Sequence, residues 1–442
     1  MFSSEVTLLD LLKKCPDIST LIFKNILILR QTSKTIYDML KNANRIAIKN
    51  KEDYIFPNGE GLLEKLNSLN EWSTVIELDL IKCYLGDVGV REIASMLRVN
   101  STLKVLDLSD NGMKNDRVRA IAEALHVNST LLKLDLDSNN IRADGARAIA
   151  EALRKNSTLH SLNLDYNYIG ANGVRAIAEA LRKNSTLHAL ALNANDIGAD
   201  GARRIASMLC VNSTLQVLDL SDNGMKDGGV STIAEALHVN STLQELDLLD
   251  NRIGADGARA ISEALLLNRT LKTLDLSLNS MEADGARAIA EALRENSTLC
   301  ELVLRNNCIG DDGAHEIANA LHVNSAVQML DLSANVIGAD SARTIASMLR
   351  VNTTLHTLLL CRNRIGDNDV RIIAEALRVN SRLNTLDLWC NYIGDNGARA
   401  IAEALRVNST LHRLNLQFNY IGADDVRTLR ESWGNRKGIL KI

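Results

Sequence analysis

Hydrophobic and polar positions along this chain follow one pattern that returns every 28 residues. Residues 131–158 read LLKLDLDSNNIRADGARAIAEALRKNST, and Leu131 recurs as Leu103, Leu159, Leu187, Leu215, Leu243, Leu271, Leu299, Leu355, Leu383 and Leu411, with Val75 and Val327 in the same place. Thirteen copies run from Val75 to the C-terminus without insertion or deletion. A fixed period of this length signals a stack of supersecondary units. Within a copy, Leu134 and Leu136 alternate with polar neighbours, which predicts a half-buried strand. Ala146, Ile149, Ala150 and Leu153 then fall at helical spacing. Asp144 is the expected N-cap, Gly145 lies in the first turn, and Asn156 ends the helix.

Neither element buries its apolar face alone, so copies stack. Helices pack about 10 Å apart and strands about 4.8 Å apart, so the stack curves. Asn139 recurs in twelve of the thirteen copies, with Cys83 in the first. Its amide is expected to satisfy backbone groups of its own turn and of the neighbouring copy.

The LxxLxLxxN pattern followed by a helix resembles the leucine-rich repeat family, in its ribonuclease-inhibitor-like subclass of about 28 residues per copy. The resemblance covers roughly residues 61–442. It implies an α/β solenoid shaped as a horseshoe, with parallel strands on the concave face and helices on the convex face. It also implies a protein-binding scaffold rather than an enzyme, because such solenoids present extended concave surfaces. Similar repeats occur in the sensing end of innate immune receptors, and one branch of the subclass activates GTPases. No catalytic residue of that branch maps here, and no GxxxxGK[ST] loop accompanies the repeats.

Residues 1–45 lie outside the period. Val6–Lys14 and Leu21–Asn42 have helical spacing and read as a helical cap over the first repeat's open end. The stretch DISTLIFKNILILRQTSKTIYDML is also similar to the end of an F-box. That likeness implies a ubiquitin-ligase adaptor as partner, with the repeats selecting a substrate. Residues 46–74 read as a degenerate first repeat, with Ile46 and Ile48 as a short strand. At the far end Trp433 takes the place of Leu153, and Ile439–Ile442 reads as a last strand flanked by Arg436, Lys437 and Lys441.

Composition narrows the function further. Fifty basic against 54 acidic residues, a net charge of −4, give no basic excess for nucleic acid. Seven cysteines without a CxxC pair suit reduced thiols in a cytosolic protein. No apolar run is long enough to span a membrane. Ten N-x-[ST] triplets recur at the helix-to-strand turn, where they read as turn chemistry rather than glycosylation sites. Arg147 and Glu151, repeated four residues apart, predict weak ion pairs on a solvated helix face.

Candidate chemistry is sparse. His160 and His188 fall on adjacent strands, but two histidines make a poor metal site. Asp135 and its counterparts Asp79, Asp107, Asp219, Asp247, Asp275, Asp331 and Asp387 form an acidic ladder, read as a polar binding face. No cofactor, metal or catalytic set is expected. Apart from Trp433, the array holds seven aromatic residues: Tyr84, Tyr166, Tyr168, Trp389, Tyr392, Phe418 and Tyr420. All sit at the sixth, seventh or ninth residue after the first Leu, at the strand's end and the turn beyond it. Exposed Trp and Tyr beside Arg are typical of binding hot spots. The expected partner-binding site is therefore Trp389, Tyr392, Phe418 and Tyr420, with Arg362 and Arg364 as its rim. Tyr166 and Tyr168 form a second patch. The protein is expected to be an extended monomer that binds a partner protein.

Overall fold

The computed structural model describes Val6–Thr7, Arg45–Ala47 and residues 75–442. It forms two compact units, residues 1–197 with 207–219, and residues 198–206 with 220–442.

In the first unit every strand is parallel to the next in chain order. The strands are β1 (Val6–Thr7), β2 (Arg45–Ala47), β3 (Glu77–Asp79), β4 (Val105–Asp107), β5 (Lys133–Asp135), β6 (Ser161–Asn163), β7 (Ala189–Ala191) and β8 (Val217–Asp219). Helices α1 (Gly86–Val99), α2 (Asn115–Leu125), α3 (Ala143–Leu153) and α4 (Gly170–Leu181) join consecutive strands. Helix α5 (Gly198–Leu209) divides between the two units at residue 206.

The second unit repeats the arrangement with β9 (Glu245–Asp247), β10 (Thr273–Asp275), β11 (Glu301–Val303), β12 (Met329–Asp331), β13 (Thr357–Leu359), β14 (Thr385–Asp387), β15 (Arg413–Asn415) and β16 (Ile439–Lys441). Its helices run from α6 (Lys226–Leu237) to α13 (Ala423–Trp433). Pairing is in register at the period: Leu358 faces Leu386, and Leu386 faces Leu414.

The core is as the period predicts. Leu134, Leu136, Ile141, Ala146, Ile149, Ala150 and Leu153 are all buried. Each Leu or Ile so buried stabilises by about 1.5–3 kcal/mol relative to exposure. Ala152, outside the predicted stripe, is buried too. Ala recurs at this helix contact, with Met208 and Met348 buried at the same place in their copies.

Two asparagine ladders stitch the copies together. Asn139 Nδ2 donates to the Leu108 carbonyl of the preceding copy at 2.9 Å and to Asp137 of its own turn at 3.0 Å. Its Oδ1 accepts from the N–H groups of Asn111 and Met113. The side chain thus serves its own turn and the copy before it. At the second ladder the sequence alone predicts only a helix stop. Asn156 Nδ2 donates to the carbonyls of Leu125 (2.8 Å) and Asn128 (3.2 Å), while Oδ1 accepts from Thr158 and Leu159 N–H. With its amide so engaged and buried, the N-x-[ST] triplet is a turn motif. At the last turn Arg436 stands where Asn would, and its guanidinium donates to the equivalent carbonyls of Leu405 and Asn408.

Several local expectations are corrected. Asp144 is not the N-cap; it lies inside α3 and pairs with Arg147. The cap comes from the previous copy, where Asn115 Oδ1 accepts from Arg142 and Gly145 N–H at 3.0 and 3.2 Å. Asp227, Asp311 and Asp367 each cap the helix one copy on in the same way. Four further arginines of the helix face follow Arg147 and pair with a first-turn Asp three residues back: Arg203–Asp200, Arg259–Asp256, Arg287–Asp284 and Arg427–Asp424. The expected four-residue Arg–Glu pair forms at Arg175–Glu179 and Arg371–Glu375. Val6–Thr7 is strand rather than helix, pairing with Ile46 and Ala47, because the backbone edge of β2 offers partners a helix would leave open. The rest of the expected helical cap and F-box-like stretch lies outside the described residues, as does Ile48. The last strand, β16, forms as expected.

Candidate partner-binding site

Every copy has a residue of positive φ at the seventh place after its first Leu, and many have others at the ninth or eleventh. The set includes Tyr166 (49°), Arg362 (54°), Cys390 (54°) and Phe418 (57°). That conformation aims the seventh side chain away from the core and beside the sixth and ninth. The strand-end carboxylate fixes the turn: Asp387 Oδ1 accepts from Trp389 N–H at 2.8 Å, and its other oxygen accepts from Asn415 Nδ2 at 3.2 Å. Asp107, Asp135, Asp247, Asp275 and Asp331 hold their own turns similarly. These carboxylates are structural first, and Asp79 and Asp331 are buried.

On this frame the aromatic residues of the second unit converge. Trp389 and Phe418 meet edge-to-face with centroids 5.4 Å apart. Tyr392 and Tyr420 stack at 6.1 Å and 10°. The guanidinium of Arg362 lies over the Trp389 ring, 4.8 Å from its centroid. Their backbones are pinned, since Arg362 N–H donates to Trp389 O, Tyr392 N–H to Ile365 O and Tyr420 N–H to Ile393 O. Phe418 and Tyr420 remain 73% and 69% exposed, and Tyr392 56%. Trp389 is half-buried, so it serves both packing and surface. Arg364 is exposed beside this group, its N–H bonded to Ile337 O. Tyr166 and Tyr168, in the first unit, are both 58% exposed. They sit on one turn, with Tyr168 N–H bonded to Ile141 O.

Sequence reasoning missed other surface features. Cys390 is exposed at the seventh place, between Arg362 and Phe418 in the row of copies. A row of exposed valines at helix ends, including Val351, Val379 and Val407, was legible as a repeated Val before the turn Asn.

Acidic and thiol groups of the first unit are tuned by burial. Burial, then the charges of Asp219, Asp137 and Asp135, push the Asp165 carboxyl up to about 7 against the pull of Asn193 N–H. Asp135 and Asp137 are raised for the same leading reason. Burial, reinforced by Asp107, pushes the Cys83 thiol up to about 12. His160 and His188 stack at 5.0 Å and 6°, each with Nδ1 against a threonine carbonyl. Among the described residues no three metal-ligating side chains come together. No described helix is long and apolar enough to cross a membrane.

Short parallel strands joined by helices at a 28-residue period, stitched by asparagines, define a leucine-rich repeat solenoid, a repeat scaffold for protein interaction. A family model described as the NLRC3 LRR domain matches residues 73–442, and the chain belongs to that family. Among solved structures it is similar to the yeast Rad7–Elc1 complex, with 16% identity over 88% of this chain and 94% of that one and a TM-score of 0.50. A second similar structure is leiomodin-1 actin-binding site 2, 29% identical over 34% of this chain and 87% of that one, TM-score 0.31. A search of curated protein sequences gave no match.

Proposed function

We propose that the chain is a non-enzymatic, cytosolic binding protein that docks a partner protein on the strand-side turns of its last copies. The observation that carries this reading is the cluster of Trp389, Tyr392, Phe418 and Tyr420, with Arg362 over the indole. A solenoid needs none of these aromatic residues for its core, which leucine, isoleucine and alanine fill. Large rings held rigidly at a surface give contact area at low entropic cost, the usual make-up of a hot spot. Arg364 completes the rim, and Tyr166 with Tyr168 forms a smaller patch in the first unit. Free cysteines at all six described positions favour a reducing compartment. The Rad7 neighbour was solved in complex with Elc1, in keeping with a solenoid of this kind carrying a partner.

The test is a partner pull-down followed by titration, comparing the full chain with Trp389→Ala and with the double variant Tyr392→Ala, Tyr420→Ala. Loss of about 2 kcal/mol or more of binding per hot-spot residue is expected. Undiminished capture by both variants would move the site elsewhere. Sedimentation of the free chain tests its expected monomeric state.

A further inference from the structure

We infer that the aromatic cluster receives an extended acidic segment of a partner protein, with a carboxylate on Arg362 and an apolar side chain against Phe418. The inference rests on the docking site proposed above and names the chemistry of its occupant. The arginines beside the cluster point to it. On the helix face of the same copies some guanidinium groups have carboxylate partners, Arg371 with Glu375 at 3.2 Å and Arg399 with Asp425 at 3.0 Å. On the strand side Arg362, Arg364 and Arg413 are exposed, and none forms an ion pair among the described residues. Asp387, the nearby strand carboxylate, has both oxygens committed to Trp389 N–H and Asn415 Nδ2.

The Arg362 guanidinium is already ordered. Contact with the Trp389 ring restrains it, and its N–H groups have no side-chain or backbone acceptor among the described residues. An ordered planar fork with no internal acceptor matches a carboxylate bidentately. From Arg362 the row continues across copies through Trp389 to Phe418. Two strand spacings of about 4.8 Å separate the row's ends by about 10 Å, which about three extended residues span. The occupant is therefore a chain with Asp or Glu two to four positions from an aromatic or large aliphatic residue, lying across the turns. Stacked rings and arginines also suit single-stranded nucleic acid. The chain's net charge of −4 and the carboxylates lining its strands disfavour a polyanion of that density.

A random twelve-residue peptide library displayed on phage, selected against the full chain, tests this. Parallel selections use Arg362→Glu and the double variant Trp389→Ala, Phe418→Ala, each checked by circular dichroism. The expected enrichment is peptides carrying Asp or Glu near an aromatic or aliphatic residue. A selected peptide should bind Arg362→Glu at least tenfold more weakly. Selection on that variant should shift toward Lys or Arg. Basic or neutral motifs on the native chain, or acidic motifs indifferent to Arg362→Glu, overturn the acidic occupant while leaving the docking site intact. Peptides unaffected by the double aromatic variant, or no enrichment at all, overturn the site itself together with this inference. Tighter binding of oligo(U) than of the selected peptides overturns it in favour of nucleic acid.

Discussion

The carboxylate of Asp165 accepts a hydrogen bond from the backbone N–H of Asn193, one copy further on, at 2.7 Å. The bond favours the charged form, yet burial and the charges of Asp219, Asp137 and Asp135 outweigh it and leave the carboxyl titrating at about 7. An unfolded Asp titrates near ~3.9. Between those values the folded chain binds more protons than the unfolded one, so this group makes stability fall as pH rises from about 4 to about 7. Asp165→Asn should flatten that fall, and the variant should be more stable than the native chain at pH 8. Urea midpoints at pH 5 and pH 8 measure it. A variant curve parallel to the native one would refute the assignment.

Asn156→Ala removes the donor to two buried carbonyls and the acceptor of two N–H groups. Each unsatisfied buried group costs about 1–3 kcal/mol. The expected loss is therefore about 2 kcal/mol or more, read as a lowered urea midpoint, since long arrays need not melt in one step. Ser157→Ala is exposed and should change little. Equal midpoints for the two variants would show that the ladder carries no stability.

Phe418 is a bulky residue at positive φ and largely exposed, a combination that costs about 1–3 kcal/mol without contributing to the core. Asn tolerates that backbone far better. Phe418→Asn should raise the thermal midpoint while weakening partner binding. Such opposite signs separate a binding residue from a packing one. A lowered midpoint with unchanged affinity would mean that the Trp389 contact is structural.

Gly397, in the first turn of its helix, lies so close to the preceding copy that an added Cβ would lie 2.6 Å from Val370 Cγ1 and 2.7 Å from Asp367 Oδ1. Asp367 caps this helix through Gly394 and Gly397 N–H. Gly397→Ala should destabilise by about 1–3 kcal/mol, visible in the urea midpoint. A neutral result would mean that the capping carboxylate moves aside at no cost.

The period made the core legible. Once copies stack in register, a spacing of 28 or 29 residues becomes contact, so Trp389 and Phe418 were placed together from their positions alone. Features that cross copies with no local signature were not legible. The helix cap of α3 stands at Asn115, outside the copy it serves, and Asp144 looked suitable because caps are ordinarily contiguous with their helix. The positive φ of the seventh place was hidden because residues as varied as Asp, Lys, Ala, Leu, Arg, Cys and Phe stand there, and never glycine. The acidic ladder was read as facing a ligand because alternation assigns a face, while hydrogen bonding to Ser109 or Trp389 decides what the carboxylate does there.

The ladder bonds join residues separated by 26, 28 or 31 positions, as Asn139 does with Met113, Asn111 and Leu108. A single inserted or deleted residue inside a copy shifts the donors of that copy against acceptors in both neighbours. Removal of one whole copy brings identical partners back to identical separations. The gene for such a chain is therefore free to lengthen or shorten by complete units, and nearly every intermediate length is penalised. A family built this way varies in reach by unequal recombination between its own copies, and in specificity by single substitutions on turns that the ladder holds still.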